Sequence, residues 1–196
     1  LKAGLDIRLE TPVRELIVEG NKVVGVVTQK DGKPWRVGAN LGVLVNAGGF
    51  AKNQAMRDKY MPGTQAAWSM VNECDEGDMH VEMERIGGVL AQMDQMVGFQ
   101  MSRAPGWDQD YVAPGMQAVT AKPHAILVDR TGERYQNECG SYEAYCEGML
   151  VRNRTHPAVP GWAIMDSQYL ARYNLANGGA GKPIPAAWRE SGWLKE

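Results

Sequence analysis

The stretch HAILVDRTGERYQNECGSYEAY, His124 to Tyr145, decides how the rest of the chain is read. Ala125 to Val128 is a short apolar run of mostly branched side chains, and Asp129-Arg130-Thr131-Gly132 supplies turn chemistry ahead of a second short strand at Arg134 to Gln136. A hairpin is predicted. After Asn137-Glu138 the pattern breaks at Gly140-Ser141, and a helix is expected from Tyr142 to Arg152 with Ser141 as its N-cap. A charged residue and two tyrosines passing from a strand end into a helix start make the kind of loop on which rigid scaffolds mount chemistry. Tyr142, Tyr145 and Met149 are also spaced three and four apart, so one helical face could carry all three into a core.

Working outward, 196 residues with 44% hydrophobic content suffice for one sizeable domain or two small ones. With 21 Lys and Arg against 23 Asp and Glu, and no run of like charge, nucleic acid is excluded as an expected partner. No apolar stretch approaches a membrane span and no signal pattern opens the chain, so a cytoplasmic protein is expected. Cys74, Cys139 and Cys146 cannot all pair and match no zinc spacing, which predicts reduced thiols. His80, His124 and His156 form no ligand-spaced pair, so no metal site is expected. The chain opens at Leu1 without an initiator methionine and ends on Trp193-Leu194-Lys195-Glu196 without a turn residue, which points to a piece of something larger.

Upstream, strand runs at Asp6 to Glu10, Val13 to Val18, Val23 to Gln29, Trp35 to Val37 and Val43 to Val45 alternate with turn residues, a β-meander pattern. Glu19-Gly20-Asn21 and Lys30-Asp31-Gly32-Lys33 stand where hairpin turns belong. Val43-Leu44-Val45 runs into Ala47-Gly48-Gly49-Phe50, and Asn53 opens a helix carrying Met56, Arg57 and Tyr60 before Pro62. A double glycine admits close approach of a backbone or ligand, and it also serves any tight strand-to-helix turn. A helix from Met79 to Ile86 stops at Gly87-Gly88, and Met79, Met83 and Ile86 recur as a core face. Residues from Gly98 to Lys122 read as a long loop, in which Trp107 and Tyr111 suggest a lid. Downstream come a strand at Trp162 to Met165, a helix from Asp166 to Tyr173, a turn at Gly178 to Lys182 and a short helix from Ile184 to Ser191. There is no internal repeat, Walker loop, G-x-S-x-G elbow or G-x-G-x-x-G fingerprint.

The order of four pieces carries a resemblance: Thr11 to Leu16 with its meander, Val43 to Phe50 with Asn53, Gly77-Asp78 with Gly87, and Ile126 to Glu138. Together they resemble the flavoprotein family of fumarate reductases and 3-ketosteroid dehydrogenases. The resemblance spans nearly the whole chain and implies an α+β fold. A β-meander from the end of an FAD-binding domain, residues 1 to 50, is followed by a mixed α/β substrate-capping domain over residues 51 to 196, with 51 to 75 near the junction. It implies that the backbone of Ala47, Gly48 and Gly49 lies near FAD. The family's Thr-Gly-Asp-Gly appears here as Glu76-Gly77-Asp78-Met79, a departure at two of four positions.

The resemblance also separates subfamilies. Fumarate reductases place an arginine shortly after the Asn-Glu pair and another on the cap, where they hold a dicarboxylate. Here Tyr142 stands instead, as in the 3-ketosteroid 1-dehydrogenases, where such a tyrosine removes a proton beside the ketone. Implied roles follow: Tyr142 as catalytic base, Asn137, Glu138 and Trp107 as residues that shape the site, a steroid-like small molecule as substrate, and FAD as hydride acceptor. A phenol titrates near about 10, so Tyr142 could act as base only with its phenolate stabilised or the proton shared with a neighbour. A small carboxylic acid is the alternative substrate, for which Arg134, Arg152, Arg154 and Arg172 are available. A non-catalytic binding module is the other. With no Gly-rich dinucleotide turn in the sequence, the chain by itself is expected to bind FAD weakly or not at all.

Overall fold

Two two-residue turns set the register of the first sheet. Asp31 and Gly32 both take positive φ (49° and 74°), as a tight hairpin turn between right-twisted strands requires, and Gly20 takes φ 59° in the turn before it. They join β1 (Val13–Glu19), β2 (Lys22–Lys30) and β3 (Lys33–Gly38) into an antiparallel meander of order β1-β2-β3. Gly25 of β2 is fixed by packing, since a Cβ there would stand 2.3 Å from the Val37 carbonyl oxygen. The computed structural model describes residues 4–102, 104–108 and 120–196. It forms two compact units, one running through Tyr60 and including Val71–Met93, the other made of Met61–Met70 and the residues from Asp94 onward.

In the first unit α1 (Gln54–Tyr60) starts at Asn53, whose Oδ1 accepts from the Met56 N–H at 3.0 Å while its Nδ2 donates to the Glu76 carbonyl at 2.9 Å. One side chain thus caps a helix and ties it to the approach of α2 (Asp78–Arg85). Gly77 enters α2 at φ 83°, and a Cβ there would meet Met56 Sδ at 2.6 Å. Helix α2 buries Met79 and Glu82. The Glu82 carboxylate accepts the Leu16 N–H, and Arg85 Nη2 donates both to Glu82 and, at 3.1 Å, to the Leu16 carbonyl. One ion pair satisfies both backbone groups of a buried strand residue, which anchors α2 across β1.

The second unit holds β4 (Ala125–Val128) paired antiparallel with β5 (Trp162–Met165), in register Ala125↔Met165 to Val128↔Trp162. Around them lie α3 (Tyr142–Asn153), α4 (Ser167–Arg172) and α5 (Ala186–Glu190). Ser141 caps α3, its Oγ accepting the Ala144 N–H at 3.1 Å, and Asp166 caps α4 through the N–H groups of Gln168 and Tyr169. The core gathers Leu127, Tyr145 and Tyr169, and a second cluster gathers Ala104, Ala176 and Trp188. The architecture is mixed α/β with small antiparallel sheets.

Three expected strands are absent. Arg134 to Gln136 forms none, and the partner of β4 is β5 instead. The cause is Asp129, whose Oδ1 accepts from Thr131 N–H and Oγ1 and from Glu133 N–H, while Asp129 N–H reaches the Glu133 carbonyl. This closes a loop too tight to feed a ladder, after which Arg134 and Gln136 turn their side chains to Glu138 and to the Ala144 carbonyl. Asp6 to Glu10 and Val43 to Val45 pair with nothing among the described residues, and Leu44 is 93% exposed. Their apolar pattern is that of strands, but no described strand offers them an edge.

Replacing Glu82 with Ala strands the Leu16 N–H and frees Arg85, so a loss of about 1–3 kcal/mol is expected. Urea unfolding with amide exchange at Leu16 measures it; an unchanged midpoint and unchanged Leu16 protection would refute the clamp.

Candidate functional site

Helix α3 separates the three residues that its periodicity grouped. Tyr145 is 1% exposed and belongs to the core, with Met149 packed against the same cluster, whereas Tyr142 in the first turn is 46% exposed. Burial, with the neighbouring Tyr135 phenol, pushes the Tyr145 phenol far above its ordinary range, so it stays protonated. Tyr142 meets the Phe99 ring edge-on at 6.3 Å, and its carbonyl accepts from Gln100 Nε2 at 3.3 Å. Of the pair, only Tyr142 is accessible to a substrate.

The loop that delivers Tyr142 is locked by Glu138. This carboxylate is 4% exposed and accepts the Leu127 N–H at 2.9 Å, while the Arg134 Nε stands 3.0 Å from both its oxygens. Its own carbonyl accepts the Ala121 N–H at 2.7 Å. Burial alone would raise the Glu138 carboxyl, but the Arg134 and Leu127 donors outweigh it and hold the group below the usual carboxylate range. Asn137 Oδ1 accepts the Cys139 N–H at 3.0 Å and so shapes the turn. Glu138 and Asn137 therefore act on the backbone that carries Tyr142. Trp107 ends a turn in which Ala104-Pro105-Gly106 reverse the chain, with Gly106 at φ 86° and Trp107 N–H donating to the Ala104 carbonyl at 3.2 Å. Tyr111 lies outside the described residues.

Three of the four candidate arginines are engaged within the chain. Arg134 pairs with Glu138, Arg152 bonds Asp129 and Glu133, and Arg172 donates to His124 Nε2 at 3.2 Å. Because arginine only donates, His124 Nε2 is the acceptor and its Nδ1 faces Asp166 Oδ2 at 3.2 Å as donor. Arg154 is exposed.

In the other unit, Gly48 takes φ 74°, and a Cβ there would stand 2.5 Å from Asp75 Oδ1. Gly49 differs: its φ is ordinary and a Cβ would meet nothing within 4 Å. Nothing in the described fold requires glycine at position 49, so the space above it is left open to an approaching group. Among the described residues no three His, Cys, Asp or Glu side chains converge as a metal site, and no helix is long and apolar enough to cross a membrane.

Residues 1–172 match the family described as FAD binding domain. The chain belongs to this family of FAD-dependent oxidoreductases. FAD is its cofactor, and the open backbone at Gly49 fits a dinucleotide's close approach. The chain is 29% identical to a 3-oxosteroid 1-dehydrogenase of Mycolicibacterium smegmatis, with 97% of this chain and 35% of that protein covered. It is 31% identical to a 4-oxocyclohex-2-ene-1-carboxylate 5-dehydrogenase of Sinomonas cyclohexanicum, over 93% of this chain and 31% of that one. Among solved structures it superimposes on the 3-ketosteroid Δ1-dehydrogenase of Sterolibacterium denitrificans, crystallised with 1,4-androstadiene-3,17-dione. That match has a TM-score of 0.78 at 30% identity and covers 91% of this chain and 33% of that one. The chain spans about a third of the length of the curated relatives it matches.

Several residues that shape the loop before Tyr142 carried less in the sequence than they do in the fold. Asp129 read only as a turn residue, although Asp-x-Thr is an Asx-turn signal; Arg134 falls in the expected second strand, which gives no sign of its pairing with the site-shaping Glu138 four residues on. Phe99 and Gln100 carried no local signal, because their contact with Tyr142 is long-range.

Two outcomes are expected. Tyr145→Phe removes a buried hydroxyl that stands beside the Tyr135 phenol without full hydrogen-bond geometry, and should change stability by no more than about 1 kcal/mol, read by thermal unfolding; a larger loss would reveal a strong bond between the two phenols. Glu138 has a folded pKa below its unfolded value, so its contribution is present above the unfolded carboxylate pKa and fades as pH falls through the folded one. Glu138→Gln should therefore destabilise at pH 7, with the difference from wild type shrinking toward acid pH. A pH-independent difference would contradict the ionised lock.

Proposed function

We propose that this chain is part of a flavin-dependent dehydrogenase that desaturates a carbon–carbon bond next to a ketone, with a steroid-like substrate. Residues 1–50 are the end of its FAD-binding domain and most of 51–196 its substrate cap. The grouping of α1 and α2 with the meander supports a junction that runs through residues 51–93. The observation that carries the reading is the exposed Tyr142 at the start of α3, held by a loop whose acid is buried and spent on structure. The names of the relatives, each a dehydrogenase of an oxo compound, support it.

Tyr142 takes a proton from the carbon beside the ketone, and the electron pair of that C–H bond becomes the new double bond as hydride leaves the neighbouring carbon. The bound FAD supplies the hydride acceptor. Ala47, Gly48 and Gly49 would hold the dinucleotide by close backbone approach, Gly48 kept in place by its φ and by Asp75. Glu138 and Asn137 fix the loop, and Trp107 stands in the segment that closes over an apolar substrate. Among the described residues Tyr142 meets Phe99 and, through its carbonyl, Gln100.

The substrate's charge follows from the arginines. With Arg134 and Arg152 neutralised by buried or bridging carboxylates and Arg172 turned to His124, three of the four candidate arginines are already committed, and a neutral ketone needs none of them. The 4-oxocyclohex-2-ene-1-carboxylate relative keeps a second reading open, a small cyclic keto acid gripped by Arg154 or by residues beyond this chain.

Tyr142→Phe in the full-length protein should slow flavin reduction by a 3-ketosteroid about 10²–10⁴-fold, the usual scale of general-base catalysis. Unchanged kinetics would return Tyr142 to a packing role, and faster reduction by a cyclic keto acid than by any steroid would favour the second reading. The chain on its own should purify with little or no flavin; a stoichiometric flavin spectrum would overturn that expectation.

A further inference from the structure

Phe99 and Gln100 both converge on Tyr142. The Phe99 ring stands edge-on to the Tyr142 ring, with centroids 6.3 Å apart and planes at 83°, the geometry in which a positive ring edge meets a negative ring face. Gln100 is buried, and its Nε2 donates to the Tyr142 carbonyl at 3.3 Å. Its Oε1 is buried with no partner among the described residues. The helix does not need this bond, since Ser141 already caps α3. A buried amide left half satisfied is an arrangement that packing alone would replace with leucine.

We infer that Phe99 and Gln100 are positioning residues for Tyr142: Gln100 ties the segment to the first turn of α3, and Phe99 limits the rotation of the Tyr142 ring. This rests on Tyr142 being the base. Neither residue touches the reacting atoms; each acts by narrowing the range of directions from which the phenol meets the substrate carbon, where small misplacements cost rate.

The test uses the full-length protein and a double-mutant cycle read by flavin reduction with a 3-ketosteroid. Phe99→Leu should lower kcat about tenfold with KM nearly unchanged, the scale of a lost orientation, and Phe99→Tyr should restore most of that loss. Gln100→Leu should lower kcat while leaving the thermal midpoint equal or higher, an outcome no purely structural role produces. In the Tyr142→Phe background Phe99→Leu should have no further effect; a full tenfold loss there, or no loss in the wild-type background, overturns the inference. If Tyr142→Phe leaves flavin reduction unchanged, the functional reading fails instead. The inference is then decided by fluorine NMR of the protein labelled with 3-fluorotyrosine, the Tyr142 signal being the one lost in Tyr142→Phe. Phe99→Leu should move that signal toward the position of a freely rotating tyrosine, and an unmoved signal overturns the positioning role.

Discussion

A single buried carboxylate holds the second unit in its working shape. The antiparallel pairing of β4 with β5 uses one edge of β4, with the Asp166 N–H to His124 carbonyl bond continuing the ladder, and leaves the Leu127 N–H on the other edge. Glu138 takes that amide. Burying a carboxylate is costly by several kcal/mol unless charge and hydrogen bonds meet it, and here Arg134 and the strand amide do both. Because Glu138 is four residues ahead of Tyr142, the same lock sets where α3 begins. The Asn137-Glu138 pair thus reads physically as an edge-strand cap that aims a helix.

The missing hairpin follows from the same constraint. A strand at Arg134 to Gln136 would have covered the free edge of β4 with backbone; the structure covers it with one side chain. Asp129 makes this possible by drawing Thr131 and Glu133 into a closed turn, with Arg152 of α3 bonded to its other oxygen. The Thr131 hydroxyl, with Arg152 and the two backbone donors, holds the Asp129 carboxyl well below the usual range despite its burial. The ion pair joins the turn at one end of β4 to the last turn of α3, so strand, loop and helix move as one.

What could be read from sequence was local. Asp31-Gly32, the Asn53 and Ser141 helix starts and the two strands of the second sheet are each decided by a few neighbouring residues, and each stands where the pattern put it. What could not be read was decided by partners far along the chain. Val43-Leu44-Val45 has a strand's composition and no edge to join, and Arg134 to Gln136 has the right spacing for a hairpin but side chains committed elsewhere. The Tyr142, Tyr145 and Met149 spacing shows that one helical stripe was ambiguous in kind: its period fits a core face, and only the tertiary fold decides that the stripe leaves the core one turn early, at Tyr142.

The arginines show most directly how structure narrows function beyond a motif. Counted in sequence, Arg134, Arg152, Arg154 and Arg172 could grip a dicarboxylate. In the fold, the first two are held by Glu138, Asp129 and Glu133, and the fourth faces His124 Nε2. Freeing Arg134 or Arg152 for a ligand would strand a buried carboxylate, a cost that a second anion could not recover. Of these four arginines only Arg154 is left exposed without such a partner among the described residues, which supports the proposed reading of a substrate recognised by its apolar body and its ketone, and the exposed Tyr142 with Phe99 at its edge offers the surface such a body would meet.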